Sequence, residues 1–323
     1  MDFLLSDDQT ALQSELRRFL TDRVDHDLRT AAAELPGAID RVLWSELASL
    51  GVFGIHAAED DGGVGLGLAE ATVVFEELGR VAVPGPTIST CLAATLGVEG
   101  AADGTAVVGL IRADTLLVEH LDGLDTLLVH HDGLVETVAK PDGTLLPRPL
   151  DPLTPVSQVE AIPAGDEISK AGERVIQQGR LLAAAFQVGL GQAAVDLGTE
   201  YAGQRQQFNK VIGSFQAVKH LLADAVVGID IARAGVHAAA VALDEAAASD
   251  GANDSGGRSM SVDAARLVAS EAAQRACEAC IQVHGGIGFT WELDAHLFLK
   301  RSLALDATFG TVHSSHDAVA ATL

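Results

Sequence analysis

The sequence predicts a mainly α-helical protein with a small β domain: an N-terminal helical domain, a truncated antiparallel β domain and a C-terminal four-helix bundle. Apolar residues recur at helical spacing in the first hundred residues and again from about residue 169 to the end. Between them lie short β-branched runs and Asp-Gly pairs, which are typical of strands and tight turns. Aromatic residues make up only 4% of the chain, which favours closely packed helices over an aromatic-rich sandwich. These patterns place the domains at residues 1–103, 104–168 and 169–323.

The charge balance narrows the range of partners. The 323 residues include 45 acidic and 21 basic side chains, for a net charge of −24. Non-specific nucleic-acid binding needs clustered Lys and Arg, and an anionic membrane leaflet repels an acidic surface. No apolar run reaches about 18 residues, and the first residues lack the basic start of a secretory signal. We therefore predict a cytoplasmic protein with no nucleic-acid partner and no membrane partner.

The three cysteines do not predict a disulfide framework or a metal site. Cys277 and Cys280 form a CxxC motif, but it falls inside a helical pattern from Ala264 to Val283. No second CxxC or His pair supplies the spacing of a zinc site. We predict no metal, and we expect both thiols to pack against neighbouring helices.

In the N-terminal domain, four helices are predicted between turns rich in Gly, Pro and Asp. Ser6, followed by two Asp residues, is a plausible N-cap for the first. Glu76 and Glu77 are compatible with a solvated helix face. The predicted helices span about Ser6–Ala33, Asp40–Leu50, Leu68–Leu78 and Thr87–Leu96.

The middle domain is predicted to be a small antiparallel sheet. Asp-Gly between apolar runs is a hairpin signal because both positions tolerate positive φ. Residues 145–155 contain four prolines, which cannot donate ladder hydrogen bonds, so this segment is predicted to be an edge strand or a linker. The Asp-Gly pairs are Asp103-Gly104, Asp122-Gly123, Asp132-Gly133 and Asp142-Gly143.

The C-terminal part predicts long antiparallel helices joined by short loops, which make a four-helix bundle. Residues Ser249–Arg258 have the composition of a flexible loop. A short last helix is expected from about His313. The four bundle helices are predicted near Ala171–Gln204, Ser214–Ala248, Val262–Val283 and Trp291–Ala307.

Two stretches between these helices combine residues suited to an anionic ligand, Gln204–Ala225 and Ile281–Arg301. The guanidinium of Arg205 offers a planar fork of donors for phosphate. The Gly-rich turn after the third helix lets the backbone approach a ligand closely. The alternative is structural, with Arg205 packed on a helix end and a Gly used as a C-cap. The glycines of Gly63–Gly67 lie between helices rather than after a strand, so they do not predict a Rossmann site.

Together these residues resemble the acyl-CoA dehydrogenase family, over nearly the whole chain, strongly at both ends and weakly in the middle. At the N-terminal end the similar positions are Gly51, Gly54, Glu59, Gly62, Gly63, Gly65, Glu77, Leu78 and Gly79. At the C-terminal end they are Arg205, Phe208, Phe215-Gln216, Leu222-Ala223-Asp224, Gln282, Gly285-Gly286 and Gly288.

The resemblance implies FAD as cofactor, bound between subunits, and an acyl-CoA thioester as substrate. It implies removal of the α-proton by a carboxylate and hydride transfer from the β-carbon to the flavin. It also implies that the bundle holds the adenosine diphosphate half of a neighbour's FAD. The cofactor-binding residues implied are Arg205, Gln207, Phe208, Gln216, Gln282, Gly285 and Gly286.

The chain departs from the family pattern where the catalytic carboxylate is expected. The segment that matches one family position is Thr308–Thr311, and the pair that matches the other is Gly179-Arg180. Neither holds a carboxylate, so no catalytic residue is assigned. The β domain also lacks the segments that contact the flavin ring in family members. Asn209 replaces a Gly that usually follows Phe208, and Asn tolerates the left-handed region.

These departures resemble the shorter, base-lacking subunit of heteromeric acyl-CoA dehydrogenases of actinobacterial steroid side-chain degradation. That resemblance implies a homologous partner subunit that carries the catalytic Glu, an α2β2 heterotetramer, and electron-transfer flavoprotein or a similar electron acceptor.

Two alternatives stay open. One is a self-sufficient homomeric enzyme whose base has moved elsewhere in the chain. The other is a non-catalytic assembly partner. His284 before the double Gly is expected to be structural, and Glu292 to be an acid at a helix N-terminus. Each candidate for a relocated base has a structural alternative, which is to cap a helix or to lie exposed at the surface. The candidates are Glu292, Asp306, His313, His316 and Asp317.

Overall fold

A computed structural model describes residues 5–248 and 255–321. Within them the fold is mainly helical with small sheets, as predicted. The helices are α1 Asp7–Arg23, α2 His26–Glu34, α3 Arg41–Ser49, α4 Leu68–Arg80, α5 Thr87–Thr95, α6 Gly172–Gln204, α7 Gln216–Ala248, α8 Ser255–His284, α9 Ala295–Leu305 and α10 Val312–Ala320. The strands are β1 Val108–Arg112, β2 Leu117–Glu119, β3 Thr126–His131, β4 Leu134–Val138, β5 Gly143–Leu145, β6 Val156–Val159, β7 Gly165–Ser169, β8 Gln206–Gln207 and β9 Lys210–Val211.

The first predicted helix is in fact two helices. Ser6 caps α1 through a capping box with Gln9, as its position suggested. The helix stops at Val24, whose backbone has left the helical region, and the Asp25 side chain then caps α2 by accepting a hydrogen bond from the Leu28 N–H. The prediction of one helix from Ser6 to Ala33 is wrong because Asp25 serves as a new N-cap.

Helix α4 lies inside the molecule, between the N-terminal helices and the bundle. Gly79 and Gly189 let α4 and α6 approach so closely that a Cβ at Gly189 would lie 2.0 Å from the Glu76 carbonyl oxygen. Glu76 and Glu77 are buried, so the solvated-face interpretation is wrong. Glu77 pairs with Arg17 at 2.6 Å and Glu76 pairs with Arg233 at 2.9 Å. Buried carboxylates need such partners.

The β domain contains two small sheets, with strand orders β1-β3-β4-β7 and β2-β6-β5. Its pairings are antiparallel except that β1 and β3 run parallel, which corrects the prediction of a wholly antiparallel sheet. Only Asp132-Gly133 closes a hairpin, with φ of 47° and 77°. Asp122-Gly123 lies in a 3₁₀ turn, Asp103-Gly104 precedes β1, and Gly143 opens β5. The hairpin signal is therefore wrong at the other three pairs, because none of them joins two strands that pair with each other.

The bundle consists of α6, α7, α8 and α9, and α6 lies at its centre. Helix α8 begins at Ser255, so residues 255–258 are helical rather than part of the predicted loop, and residues 249–254 lie outside the described part of the chain. Helix α9 begins only at Ala295, because Trp291–Asp294 form a turn and Asp294 is the N-cap.

Two bundle helices differ sharply in burial. Both α6 and α7 are long and apolar enough to cross a membrane by length and composition alone. In α6, 78% of the most apolar window is buried, as in a core helix. In α7 only 28% is buried, and Val227 and Ile231 are 56% and 59% exposed. One face of α7 therefore lies outside the core of this chain.

Candidate functional site

The first of the two stretches forms an exposed hairpin at one end of the bundle. Strands β8 and β9 pair antiparallel, and Phe208 and Asn209 between them have φ of 55° and 62°. This geometry confirms that Asn209 takes the left-handed conformation that a Gly would adopt. Phe208 is 85% exposed. A bulky residue held in the left-handed region and presented to solvent indicates a constrained functional tip.

The second stretch reaches the same end of the bundle. Helix α8 ends at His284, and Gly285 with φ of 65° ends it as a left-handed cap. His284 is buried, stacks on Tyr201 of α6 at 4.2 Å and lies 2.8 Å from the Cys280 carbonyl oxygen. These contacts agree with its predicted structural role, and they fix the end of α8 against the end of α6.

The predicted cofactor residues thus gather on one open surface rather than in a cleft. Arg205 and Gln207 come from the hairpin, Gln216 starts α7, and Gln282 lies on the last turn of α8; all four are exposed. Among the described residues Arg205 has no carboxylate partner. Gly286 has no atom within 4 Å of the place where its Cβ would lie, so its backbone is accessible. An unpaired guanidinium, open backbone and a helix N-terminus suit an anionic group such as diphosphate.

The two family positions for the catalytic carboxylate meet each other in this fold. Phe309 lies in the turn between α9 and α10 with φ of 58°, and its ring covers Gly179 of α6. A Cβ at Gly179 would lie 2.6 Å from Phe309 Cδ1. An aromatic ring therefore fills the space that a carboxylate from either position would occupy.

Two arginines hold this turn in place. Arg180 Nε donates to the Phe309 carbonyl oxygen at 3.0 Å. Arg266 is buried, and its Nη2 donates to the carbonyl oxygens of Thr308 at 2.8 Å and Gly310 at 2.7 Å. Burial lowers the pKa of Arg266 to about 10, so it stays charged at neutral pH. The turn is thus fixed from both α6 and α8.

The residues considered for a relocated base lie elsewhere. The His313 side chain is 85% exposed and lies 3.7 Å from Asp317. Asp306 accepts hydrogen bonds from Gln187, Ser270 and Gln274, so it is held by α6 and α8. His316 and Asp317 are exposed on α10.

Glu292 is exposed in the turn before α9 rather than in the first turn of a helix, which corrects its predicted place. The acid at that helix end is the N-cap Asp294, which pairs with Arg29 of α2 at 2.5 Å. Asp294 therefore ties α9 to the N-terminal domain.

A cavity of about 610 Å³, the outer cavity, lies between the β domain and the bundle. Its walls come from β1, β2 and β6 on one side and from α6, α9 and the α9–α10 turn on the other. A second cavity of about 30 Å³, the inner cavity, lies beside the start of α5. The two cavities share Glu119, Thr154, Ala304, Thr308 and Phe309.

Glu119, the last residue of β2, is the carboxylate that sequence reasoning missed. It lies deep in the molecule, and part of its side chain is exposed to the cavities. Burial raises the pKa of the Glu119 carboxyl, and Arg301 opposes that rise. Its one hydrogen bond within the described residues comes from Thr308 Oγ1 at 3.5 Å. The other carboxylates of the outer cavity, Asp151 and Asp114, are paired with Arg301 and Arg112.

His120 follows Glu119 and lines the inner cavity. It is 4% exposed, has φ of 55°, and makes no side-chain hydrogen bond to any described residue. Burial lowers its pKa to about 3, with a further lowering by Arg301. The ring is therefore neutral at physiological pH. The only sequence signal for this pair is a Glu-His dipeptide at the end of a β-branched run.

A groove of about 560 Å³ separates α7 from α8 on the outside of the bundle. Its lining includes Leu221, Ile231 and Val268, and it extends to Gln282 at the bundle tip. The apolar face of α7 is thus continuous with the predicted cofactor surface.

The fold and these sites describe a helical protein with a β insert and a bundle end suited to a dinucleotide. Residues 6–103 match the family "Acyl-CoA dehydrogenase, N-terminal domain", and residues 170–323 match "Acyl-CoA dehydrogenase, C-terminal domain". The chain belongs to the acyl-CoA dehydrogenase family, whose cofactor is FAD.

One relative and two solved structures of the same fold illustrate the match. The acyl-CoA dehydrogenase IpdE2 of Mycolicibacterium smegmatis is 33% identical over 308 residues, covering 92% of this chain and 93% of that protein. A variant of the Tcur3481–Tcur3483 steroid ACAD superposes with a TM-score of 0.81 at 24% identity, covering 98% of this chain and 97% of the other. The ChsE4–ChsE5 complex of Mycobacterium tuberculosis gives a TM-score of 0.82 at 20% identity, with 99% and 98% coverage.

The described residues contain no group of three or more His, Cys, Asp or Glu side chains placed to hold a metal ion. Cys91, Cys277 and Cys280 are free and buried. Burial raises the pKa of the Cys280 thiol to about 12, so it is not a nucleophile at neutral pH.

Proposed function

We propose that this chain is a subunit of a heteromeric FAD-dependent acyl-CoA dehydrogenase, and that it completes the FAD site of a homologous partner subunit that carries the catalytic Glu. One contrast supports this proposal. The bundle tip presents an unpaired Arg205 and open glycine backbone to solvent. The turn where the family base is expected instead places the Phe309 ring on Gly179. The chain therefore keeps what would serve a neighbour's cofactor and lacks a base at either family position.

The reaction proposed for the complex is α,β-dehydrogenation of an acyl-CoA thioester. The α-proton goes to the carboxylate of the partner subunit, and a carbon–carbon double bond forms as the β-hydride leaves. When bound, FAD supplies the acceptor for that hydride. A steroid side-chain CoA ester is the proposed substrate, because the similar Tcur3481–Tcur3483 protein is a steroid ACAD.

In this scheme the bundle tip binds rather than reacts. The Arg205 guanidinium would pair with diphosphate, and the N-terminus of α7 at Gln216 would add its dipole. Gly285 and Gly286 would let the backbone donate at close range. The exposed ring of Phe208 is suited to contact the adenosine half or the partner.

The exposed face of α7 supports an oligomer. A helix with this much uncovered apolar surface is typical of a protein interface. Its groove extends to Gln282, so a partner seated there would hold its cofactor against the tip. The proposed assembly is an α2β2 heterotetramer, with electron-transfer flavoprotein or a similar acceptor taking the electrons.

The test is to purify this chain alone and together with a full-length homologous subunit. The chain alone is expected to contain little flavin, and the complex is expected to be yellow and to dehydrogenate an acyl-CoA. A yellow, active protein without a partner would establish a self-sufficient homomer instead. A complex that forms without flavin or turnover would leave only an assembly role.

A further inference from the structure

A third cavity, the α6 cavity, has a volume of about 470 Å³ and lies beside the first turns of α6. Its other walls come from the segment between α3 and α4, the end of α5 and the end of α7. It shares no lining residue with the outer or the inner cavity, and none of the predicted cofactor residues lines it. Its volume is that of a small-molecule site.

The amide of Gln178 lines this cavity without a partner. Gln178 is 7% exposed, yet its side chain makes no hydrogen bond to any described residue. Gln187 of the same helix, which is also buried, donates to the Ser302 carbonyl oxygen at 3.0 Å and to Asp306 at 2.8 Å. Leaving a buried amide unpaired is unfavourable, so the contrast indicates that the amide of Gln178 is available to a ligand.

His56 is a second group without a partner on the cavity wall. Its Nε2 is buried and has no hydrogen-bond partner among the described residues. Its Nδ1 lies 3.6 Å from Cys91 Sγ. Burial raises the pKa of the Cys91 thiol, so the thiol stays protonated and donates to Nδ1. The proton of the neutral ring then lies on Nε2, which is therefore a donor that lacks an acceptor.

The start of α6 brings positive charge to the same wall. Arg174 is exposed, forms no ion pair with any described residue, and lies close enough to His56 to lower the pKa of that ring. The N-cap residue Ala171 has no side-chain acceptor, and the N–H groups of Glu173 and Arg174 make no hydrogen bond within the described residues. A helix of 33 residues adds the positive end of its dipole here. Arg174 and Gln178 are four residues apart, so they lie on one face of the helix.

Two carboxylates on the wall limit the charge that the cavity accepts. Asp244 caps α4, because it accepts hydrogen bonds from the N–H groups of Leu68 and Ala69 at 2.9 Å. Asp61 is exposed and forms no ion pair with any described residue. Both would repel a doubly charged phosphate more strongly than a singly charged group. The remaining lining is largely apolar and includes Ala57, Leu66, Leu68, Leu96, Val175 and Ala247.

We propose that the α6 cavity binds a small organic acid, in which a single carboxylate is attached to an apolar body. The carboxylate pairs with Arg174 and accepts hydrogen bonds from the Gln178 amide and from His56 Nε2. Hydrogen bonds to a charged group are roughly twice as strong as neutral ones. The apolar body packs against the leucines of the opposite walls. Because the cavity is separate from the acyl-CoA and FAD sites, this inference does not depend on the proposed function.

The experiment compares two probes of the same shape that differ in charge, cyclohexanecarboxylate and cyclohexanecarboxamide, with inorganic phosphate as a third. Dissociation constants are measured by ligand-observed NMR titration on the full chain at pH 7, for the wild type, Arg174→Ala and Gln178→Leu. The matched controls are Arg148→Ala and Gln177→Leu. Arg148 is also exposed and without an ion pair among the described residues, Gln177 is the neighbour of Gln178 on α6, and neither lines the cavity.

The wild type and both controls are expected to bind the carboxylate about tenfold more tightly than the carboxamide. Arg174→Ala should remove most of that preference, because it removes the cation. Gln178→Leu should weaken carboxylate binding about threefold or more. Asp61→Asn should tighten carboxylate binding, since it removes a repelling charge from the wall, and a purely structural role of this residue would not produce such a gain.

Equal affinities of the two cyclohexyl probes for the wild type, or no carboxylate binding at millimolar concentration, would overturn the inference and leave the cavity to ordered water. Carboxylate binding that is unchanged in both Arg174→Ala and Gln178→Leu would also overturn it, because the acid would then bind elsewhere. Phosphate bound as tightly as the carboxylate, or weaker carboxylate binding in Asp61→Asn, would contradict the proposed ligand class. If circular dichroism shows that Gln178→Leu does not fold, Arg174→Ala, at an exposed position, decides alone.

Discussion

At the residue scale, Arg205 combines exposure with the absence of a carboxylate partner among the described residues. A phosphate contact of a charged group contributes about 1.5–3 kcal/mol, whereas an exposed substitution without such a role changes stability by about 0.5 kcal/mol or less. We expect Arg205→Ala to lower the flavin content of the assembled complex while its melting temperature changes little. Flavin absorbance per complex measures this.

The matched control is Arg18→Ala, which removes an exposed arginine of α1 whose one ion pair among the described residues is with Glu15. Retained flavin and activity in Arg205→Ala would show that Arg205 is structural and that the cofactor surface is misassigned.

His56 makes a separate prediction about acid stability. Burial lowers its pKa to about 4, with a smaller lowering by Arg174, and its Nδ1 lies 3.6 Å from Cys91 Sγ. Because the folded pKa is below the unfolded value of about 6.5, this stabilising contribution is present above pH 6.5 and is lost as the pH falls toward 4. Between pH 7 and pH 5 the linkage relation gives a loss of about 2 kcal/mol.

The change in unfolding free energy between pH 7 and pH 5 should therefore be smaller in His56→Gln than in the wild type. Urea denaturation at the two pH values measures it, and His313→Gln on the exposed surface of α10 is the control. Equal pH slopes in wild type and His56→Gln would show that His56 is not held neutral by its surroundings.

At the element scale, the contact between α6 and the α9–α10 turn depends on Gly179 having no side chain. A Cβ there would lie 2.6 Å from the Phe309 ring. We expect Gly179→Ala to destabilise the fold by about 1–3 kcal/mol through overpacking. Thermal or chemical denaturation measures the difference.

A double-mutant cycle makes this test specific. Phe309→Ala on its own leaves a void, but combined with Gly179→Ala it removes the clash, so the two effects should not add. Gly203→Ala, on the same helix with no atom within 4 Å of its Cβ position, is the control. Additive effects at positions 179 and 309 would show that the ring does not cover Gly179.

The long helices could be predicted because a 3.6-residue apolar period repeats over more than 30 residues in α6 and α7. The break at Val24–Asp25 could not, because Asp is compatible with a helix interior and only its capping contact reveals a new start. The parallel pairing of β1 with β3 is likewise absent from local signals. Turn residues indicate where the chain reverses, but they do not indicate which distant strand the next strand pairs with.

The candidate sites likewise differ in how much of each could be predicted from the sequence alone. The two stretches of the bundle tip could each be recognised because the residues within each stretch lie close together in the chain. The inner cavity could not, since Glu119 meets Thr308 across 189 residues and gains its significance only from that contact. The contact between Gly179 and Phe309 is also tertiary, although both positions were recognised separately as lacking a carboxylate.

At the scale of the whole molecule, net charge and exposed apolar surface have opposite effects on association. Two copies with a net charge of −24 repel at long range, so stable association needs a buried apolar contact. The face of α7 offers one, because Val226, Val227 and Ile231 are 40%, 56% and 59% exposed. Salt should aid assembly by screening the repulsion without weakening this contact.

Ile231 tests whether that face carries the partner. Ile231→Asp places a charge in the groove that Leu221 and Val268 also line, and burying a charge in an interface without a partner for it is costly. Since Ile231 is exposed in the single chain, the fold of the subunit should survive, with a change of about 0.5 kcal/mol or less. We expect the variant to fail to assemble with the homologous subunit and to lose flavin, because the cofactor surface at Gln282 borders the same groove.

Light scattering after gel filtration measures the mass of the assembly, and circular dichroism confirms that the helices are intact. Val42→Asp on α3, where the side chain is 62% exposed, should assemble normally. Unchanged mass and flavin content in Ile231→Asp would place the partner on another surface.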